Sequence, residues 1–335
     1  MSRLSISVTV IALVVASLFV FAPDVILSLF AGVLLAILLR GGGGWIADRV
    51  GMPRGWGVAV FVLALTLAAV GFWLWVAPSV SRQLSDLIEQ VPEAFRSLSA
   101  RVEDLPWVQR VLERLPPARL MTDGGAMATT AVFATFGALG SFILVLFIGL
   151  YGAADPGRYR DGFIMLIAPS GRARAEQVLD NAIVTLRGWL TAQLIAMSVV
   201  GVLTWAGLRL LDIPLALVLG LIAGLLAFIP NIGPVLSAVP ALLLAATQGW
   251  NTVFWVGAVY VGVQTLESYV ITPLIQLEKV SLPPLLVIGF QMLFGVLFGI
   301  LGLMLATPTA ALTMTLTRDL YVEDWLERRR DQAKK

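Results

Sequence analysis

Of the 335 residues, 59% are hydrophobic and only 13% charged, and the net charge is +2. Soluble domains carry about 25% charged residues, so this composition excludes a soluble globular fold and demands an integral membrane protein. Cys and His are both absent, which removes disulfides, thiol chemistry, zinc motifs and every triad that uses His as base.

A helix needs about 20 apolar residues to cross the hydrocarbon core. Arg3 and the apolar run 4–21 would suit a secretory leader. A second apolar run, 25–39, follows after little more than Pro23 and Asp24, so the pair reads as a retained helical hairpin. Residues 41–44 are four glycines with no Lys-Ser or Lys-Thr after them, and they read as a flexible turn, not a phosphate loop. Residues 55–77 form the next span. From 83 to 115 the apolar positions Leu84, Leu87, Ile88, Val91, Phe95, Leu98, Val102, Leu105, Val108, Leu112 and Leu115 recur in steps of three and four. That is an amphipathic helical stripe, which Pro92 and Pro106 are expected to divide as first-turn residues. It lies on the membrane interface, on its own protein or on a neighbouring subunit.

Residues 127–151 form another span. After it, Ser170 is placed to cap a helix with Arg172 and Arg174 outward and Val178, Leu179, Ala182, Ile183 and Leu186 on one face. This helix leads into the span 189–208. The segments 214–229 and 235–247 are short, whereas 252–272 and 285–307 reach spanning length. Trp residues 45, 56, 73, 75, 189, 205, 250 and 255 fall near span ends, as an interfacial belt requires. Gly220-x-x-x-Gly224 and Gly295-x-x-x-Gly299 permit close helix approach, within the chain or between subunits.

Orientation follows Lys and Arg in short loops. Residues 40–54 hold three arginines and the turn at Pro23 and Asp24 holds none, so both the amino terminus and the basic tail (Arg328, Arg329, Arg330, Lys334, Lys335) are expected in the cytoplasm. Nine apolar segments taken as nine spans would put that tail outside. At least one segment is therefore re-entrant, or two form one broken passage. The first suspect is Pro230-Asn231-Ile232-Gly233-Pro234, where two prolines without N–H groups flank Asn and Gly. Irregular backbone at depth survives only inside protein or along a water-filled cavity. The second is 285–307, with Gly289, Gly295, Gly299 and Gly302 as hinge points.

Glu267 sits in an apolar run. A carboxylate at membrane depth costs several kcal/mol unless it faces water, a partner or an ion. Gln264, Ser268 and Thr272 lie near the same helix face. The polar stripe is read as a site, with Gln291 as a further hydrogen-bonding group; the plainer alternative is a protonated Glu that glues two helices together.

Three stretches carry a family resemblance: I-P-L-A-L-V-L-G-L-I-A-G-L-L-A-F-I-P-N-I-G-P from Ile213, V-Q-T-L-E-S-Y-V-I-T-P-L-I from Val263, and L-P-P-L-L-V from Leu282 with L-F-G-I-L-G-L-M-L-A-T-P ending at Pro308. Over residues 186–312 the chain resembles the autoinducer-2 exporter family of bacterial inner-membrane permeases. The resemblance implies an inner-membrane transporter without an ATPase. Some members export the furanone-derived signal autoinducer-2, and others are proposed to exchange sodium or lithium for protons. Pro230, Gly233, Pro234, Glu267, Pro273 and Pro284 match the family pattern, whereas residues 276–279 depart from its usual Gly- and Arg-containing turn.

The resulting expectation is an all-α polytopic membrane protein of about eight transmembrane or re-entrant helices, some broken by Pro or Gly. Its parts are amino-terminal helices (1–78), an external amphipathic insert (79–125), a span (126–153), cytoplasmic helices (154–188), a carboxyl-terminal core (189–312) and a basic tail (313–335). The site comprises Glu267, Gln264, Ser268, Asn231 and Gln291, with Pro230, Gly233, Pro234, Pro273, Pro284 and Gly299 as breaks. The partners are a small polar solute, H+ or Na+, lipid and further copies of the chain. No cofactor, metal, nucleic acid or enzymatic activity is expected; a passive channel and a lipid-handling scaffold are the rivals.

Overall fold

The computed structural model describes residues 21–101, 124–271 and 282–327, with isolated helical positions at 9, 10, 13 and 17. Regular structure among the described residues is helical, as the composition demands. The elements are α1 (Pro23–Val50), α2 (Arg54–Arg101), α3 (Gly124–Ala154), α4 (Pro156–Met165), α5 (Arg172–Leu210), α6 (Ala216–Leu226), α7 (Ile232–Gln248), α8 (Trp250–Leu266) and α9 (Pro284–Leu316). Wider π-helical coils, Glu267–Ile271 and Thr317–Glu327, continue α8 and α9. Among the described residues four helices qualify by length and composition to cross a membrane: Pro23–Val50, Arg54–Leu74, Pro169–Leu210 and Pro284–Glu323. The bent pair Leu139–Ala154 and Pro156–Met165 makes a fifth if it is one span. Exposed apolar residues such as Leu63, Leu67 and Val296 suit contact with lipid.

Contacts divide the chain into two units. One comprises Met1–Leu67, Ser141–Ala192 and Gln276–Lys335; the other comprises Ala68–Gly140 and Gln193–Ile275.

In the first unit α1 begins with Pro23 in its first turn and ends at Gly51, whose φ of 74° closes the helix. The expected turn at residues 41–44 is overturned: all four glycines lie inside α1. They are there for packing. A Cβ on Gly43 would lie 2.5 Å from the Val58 Cα, and one on Gly57 would strike the Gly43 carbonyl. Gly42 accommodates the Phe61 ring in the same way. Backbone meets backbone where α1 crosses α2, and this contact outweighs a glycine's cost in a helix, about 1 kcal/mol. Leu39, Val58 and Ala153 form the core where α1, α2 and α3 meet. Helix α2 runs through Pro92, so that proline does not divide the stripe as expected. Pro106 and the rest of the stripe beyond Arg101 lie outside the described residues.

A 91° bend separates the end of α3 from α4. Asp155 makes it, accepting a hydrogen bond from the Arg158 N–H (3.3 Å), with Pro156 in the first turn. The predicted face of α5 is present, since Val178, Ala182 and Leu186 are buried. Ser170, however, sits within a short 3-10 turn, Pro169–Gly171. Arg172 and Arg174 do not point outward either. Arg172 folds back onto the Ile167 carbonyl (3.1 Å), and Arg174 donates to the Asp319 carbonyl (2.8 Å) and pairs with Glu323 (3.3 Å). The buried Asp319 carboxylate accepts from Asn181 at 2.8 Å. This network fastens the start of α5 to the coil after α9. Trp189 also leaves the expected belt, being 7% exposed, whereas Trp45, Trp56, Trp73 and Trp250 are exposed.

Helix α9 is broken at Gly299 (φ 62°, ψ −143°). Residues eight apart on a straight helix are separated by about 12 Å. Here a Cβ on Gly302 would strike the Phe294 carbonyl. The helix therefore folds back on itself, one of the two options left open by the charge count. Gly295-x-x-x-Gly299 is a hinge here and not a helix-contact motif.

In the second unit Leu208, Leu219, Leu244, Ala245 and Val256 form the core, and Val80 packs against it. Gly220 and Gly224 do serve close approach, within the chain: a Cβ on Gly220 would lie 2.6 Å from the Trp205 Cβ, and one on Gly224 would lie 3.0 Å from the Gly201 Cα. Gln83, at the head of the amphipathic stripe, accepts from the Val218 N–H at 3.4 Å, so the stripe begins by packing on its own protein.

Two neighbouring glycines separate packing from propensity. Gly43→Ala should destabilise the protein by about 1–3 kcal/mol through overpacking. Gly44→Ala, which meets no atom within 4 Å, should stabilise it by about 0.5–1 kcal/mol. Thermal unfolding of the two detergent-solubilised variants should shift in opposite directions.

Candidate functional site

Helix α6 has 11 residues and α7 has 17, so they measure about 16 and 25 Å, both short of the roughly 30 Å hydrocarbon core. They pack against each other and are joined at the Pro230–Pro234 tip. The backbone there is turned by hydrogen bonds from Ile229 N–H to the Leu226 carbonyl (2.9 Å), Ile232 N–H to Pro230 (2.8 Å) and Gly233 N–H to Ile229 (2.9 Å). Asn231 takes φ 65° and ψ −46°; Asn is among the few non-glycine residues that tolerate positive φ. Gly233 has no such freedom to change, because a Cβ there would collide with the Leu226 carbonyl.

A broken helix leaves carbonyls without donors. At this break the Gln193 amide, on α5, donates to the Ala227 carbonyl at 2.7 Å. Sequence reasoning missed Gln193. The available signal was a lone amide inside the otherwise apolar span 189–208.

Helices α7 and α8 form a hairpin about Gly249 (φ 126°). The Tyr260 hydroxyl donates to the Ser237 carbonyl at 3.0 Å, and the Ser237 hydroxyl donates to the Pro234 carbonyl at 3.0 Å. Tyr260 is thus level with Ser237. In an antiparallel pair of equal rise, four residues along α8 correspond to four back along α7. Gln264 is then level with Gly233, and the steps 260, 264 and 267 share one helix face.

The Gln264 amide donates to Glu267 Oε2 at 2.8 Å and reaches the Ser268 hydroxyl at 3.3 Å, and that hydroxyl donates to the same Oε2 at 3.3 Å. Gln264, Glu267 and Ser268 are therefore one cluster. The α-helix gives way to the π-coil at Glu267. Such coils are rare and recur at functional sites because they widen the helix and re-aim side chains.

The other predicted residues divide as follows. Gln291 and Gly299 belong to the first unit, with Gln291 2% exposed, and Pro284 starts α9. Thr272, Pro273 and residues 276–279 lie outside the described residues. Among the described residues no group of three or more acidic side chains is placed to hold a metal ion.

Gly233→Ala should break the tip, because its added methyl meets backbone and not a movable side chain. Gln193→Leu should strand the Ala227 carbonyl at about 1–3 kcal/mol. Both variants should expose the Pro230–Pro234 connection to limited proteolysis in detergent, and a cleavage pattern like that of the unmodified protein would refute this account of the tip.

The model of the AI-2E transporter family matches residues 8–321. YrrI of Bacillus subtilis (strain 168), named as a transport protein, is 26% identical over 279 residues, covering 80% of this chain and 77% of its own length. YhhT of Escherichia coli (strain K12), also named as a transport protein, is 24% identical over 82% of this chain and 78% of its own. The AI-2 transport protein TqsA of the same strain is 26% identical, covering 80% of this chain and 78% of its own. The apolar helices agree with a multi-pass bacterial membrane protein, and the family match spans nearly the whole chain: it belongs to the AI-2E transporter family.

Proposed function

We propose that the protein is an ATP-independent secondary transporter that exports a small polar solute, with Glu267 as its exchangeable charge. What supports this reading is the α7–α8 register read from the Tyr260–Ser237 hydrogen bond, which brings Gln264 level with Gly233, together with the hydrogen bond that ties Gln264 to Glu267. Helices α6 and α7 are read as a re-entrant pair whose tip lies at depth, where short interrupted segments mark substrate and ion sites. The name of TqsA points to autoinducer-2 or a related signal as the solute.

One Glu held by an amide and a hydroxyl supplies an oxygen ligand for a cation or a hydrogen-bond partner for a polar solute. A second reading, sodium- or lithium-for-proton exchange, draws on the same cluster, because carboxylate, amide and hydroxyl oxygens are the ligands that hard cations prefer. Chemistry on the solute is no part of either reading.

Glu267→Gln keeps the side chain's size and an accepting oxygen while removing the charge. It should insert and fold normally yet reduce flux driven by a pH or sodium gradient at least tenfold in proteoliposomes. Undiminished gradient-driven flux would remove Glu267 from the mechanism.

A further inference from the structure

Helix α4 presents different chemistry on three sides. At about 100° per residue, Tyr159, Phe163 and Leu166 fall within about 60° of one another, and Arg160 and Ile164 within about 40°. Arg158 and Asp161 share the remaining arc.

The side with Arg160 and Ile164 faces protein. Ile164 is buried, and the Arg160 guanidinium donates to both Asp180 carboxylate oxygens on α5, at 3.0 and 2.9 Å. The helix is also held at its ends. Asp155 caps its first turn, and Arg172 of α5 donates to the Met165 (3.3 Å) and Ile167 (3.1 Å) carbonyls at the other end. On this fixed helix Tyr159, Phe163 and Leu166 stay 55%, 47% and 61% exposed.

The preceding helix sets the level of that face. Helix α3 has 31 residues and no Asp, Glu, Lys or Arg, so it is long enough to cross the hydrocarbon core without α4. Phe142, Phe147 and Tyr151 are exposed along it. Only Asp155 separates α3 from α4, and the 91° bend turns α4 across the direction of α3. A helix joined so closely to a span stays where that span leaves the hydrocarbon and runs along the bilayer surface. Composition argues against a path back into the core, because Arg158, Arg160 and Asp161 would each carry the cost of a charge at depth.

We propose that α4 is an interfacial helix, with Tyr159, Phe163 and Leu166 seated among the acyl carbons beneath the lipid headgroups and Arg158 and Asp161 toward water. Helices of this kind bury their apolar face roughly 5–10 Å into the headgroup–acyl boundary. The lipid-contact surface of α3 then continues onto α4. Through Arg160 and Arg172 the bilayer surface also sets the height at which α5 begins.

The chain has no Cys, so a nitroxide can be placed on one introduced thiol at a time. The full chain, reconstituted into phosphatidylcholine–phosphatidylglycerol vesicles, would carry it at Tyr159→Cys, Phe163→Cys or Leu166→Cys. These labels should collide often with oxygen, which partitions into lipid, and rarely with a water-soluble nickel chelate. The ratio of oxygen to nickel collision rates should be at least about fivefold higher there than at Asp161→Cys. Three positions keep the test open if one variant fails to insert. Nickel collisions at 159, 163 and 166 as frequent as at 161 would put the face in water and overturn the proposal. Rare collisions with both reagents would mean that protein covers the face, a second copy of the chain included, and would overturn it equally.

Discussion

In hydrocarbon no water is available to satisfy backbone N–H and C=O groups, and this one constraint governs where the chain can break. An α-helix meets it automatically; a turn at depth must meet it with named partners. At the Pro230–Pro234 tip the prolines remove two donors outright. Short turn hydrogen bonds satisfy Ile229, Ile232 and Gly233, and the Gln193 amide takes the Ala227 carbonyl. At this tip Gly233 is buried and Asn231 exposed, so the break packs on protein on one side and presents a polar side chain on the other.

Helix contacts follow from the same solvent. Lipid is as apolar as Leu, so burying Leu against Leu gains little and close packing has to hold the helices together. The contacts are accordingly made by glycine. Gly43 and Gly57 join α1 to α2, and Gly201, Gly220 and Gly224 join α5 to α6. Outside the apolar stretches the chain uses ordinary charge chemistry, as where Arg174 and Asn181 secure Asp319.

Composition and hydrophobic run length made the helical membrane fold legible, and residue chemistry picked out the Gln264–Glu267–Ser268 cluster. Both breaks suspected from the charge count are present, at Asn231 and Gly299. What stayed hidden depends on long-range packing. Four glycines in a row have every local reason to be a turn, and only the approach of Val58 and Phe61 makes them helix. Arg172 and Arg174 looked solvated because their acceptors, Ile167, Asp319 and Glu323, are not marked by any periodicity. Gln193 was passed over because a single polar residue in a span is unremarkable until its partner is visible.

The two broken hairpins differ in the chemistry they carry, and that difference bears on the transport reading. Helix α8, which pairs with α7, carries an ionisable group, Glu267, held by an amide and a hydroxyl on a widened helix. The α9 hairpin carries only neutral hydrogen-bonding groups, Gln291 and Thr307. A charge that must be exchanged needs a titratable partner, so in the transport reading exchange belongs with α8 and not with α9.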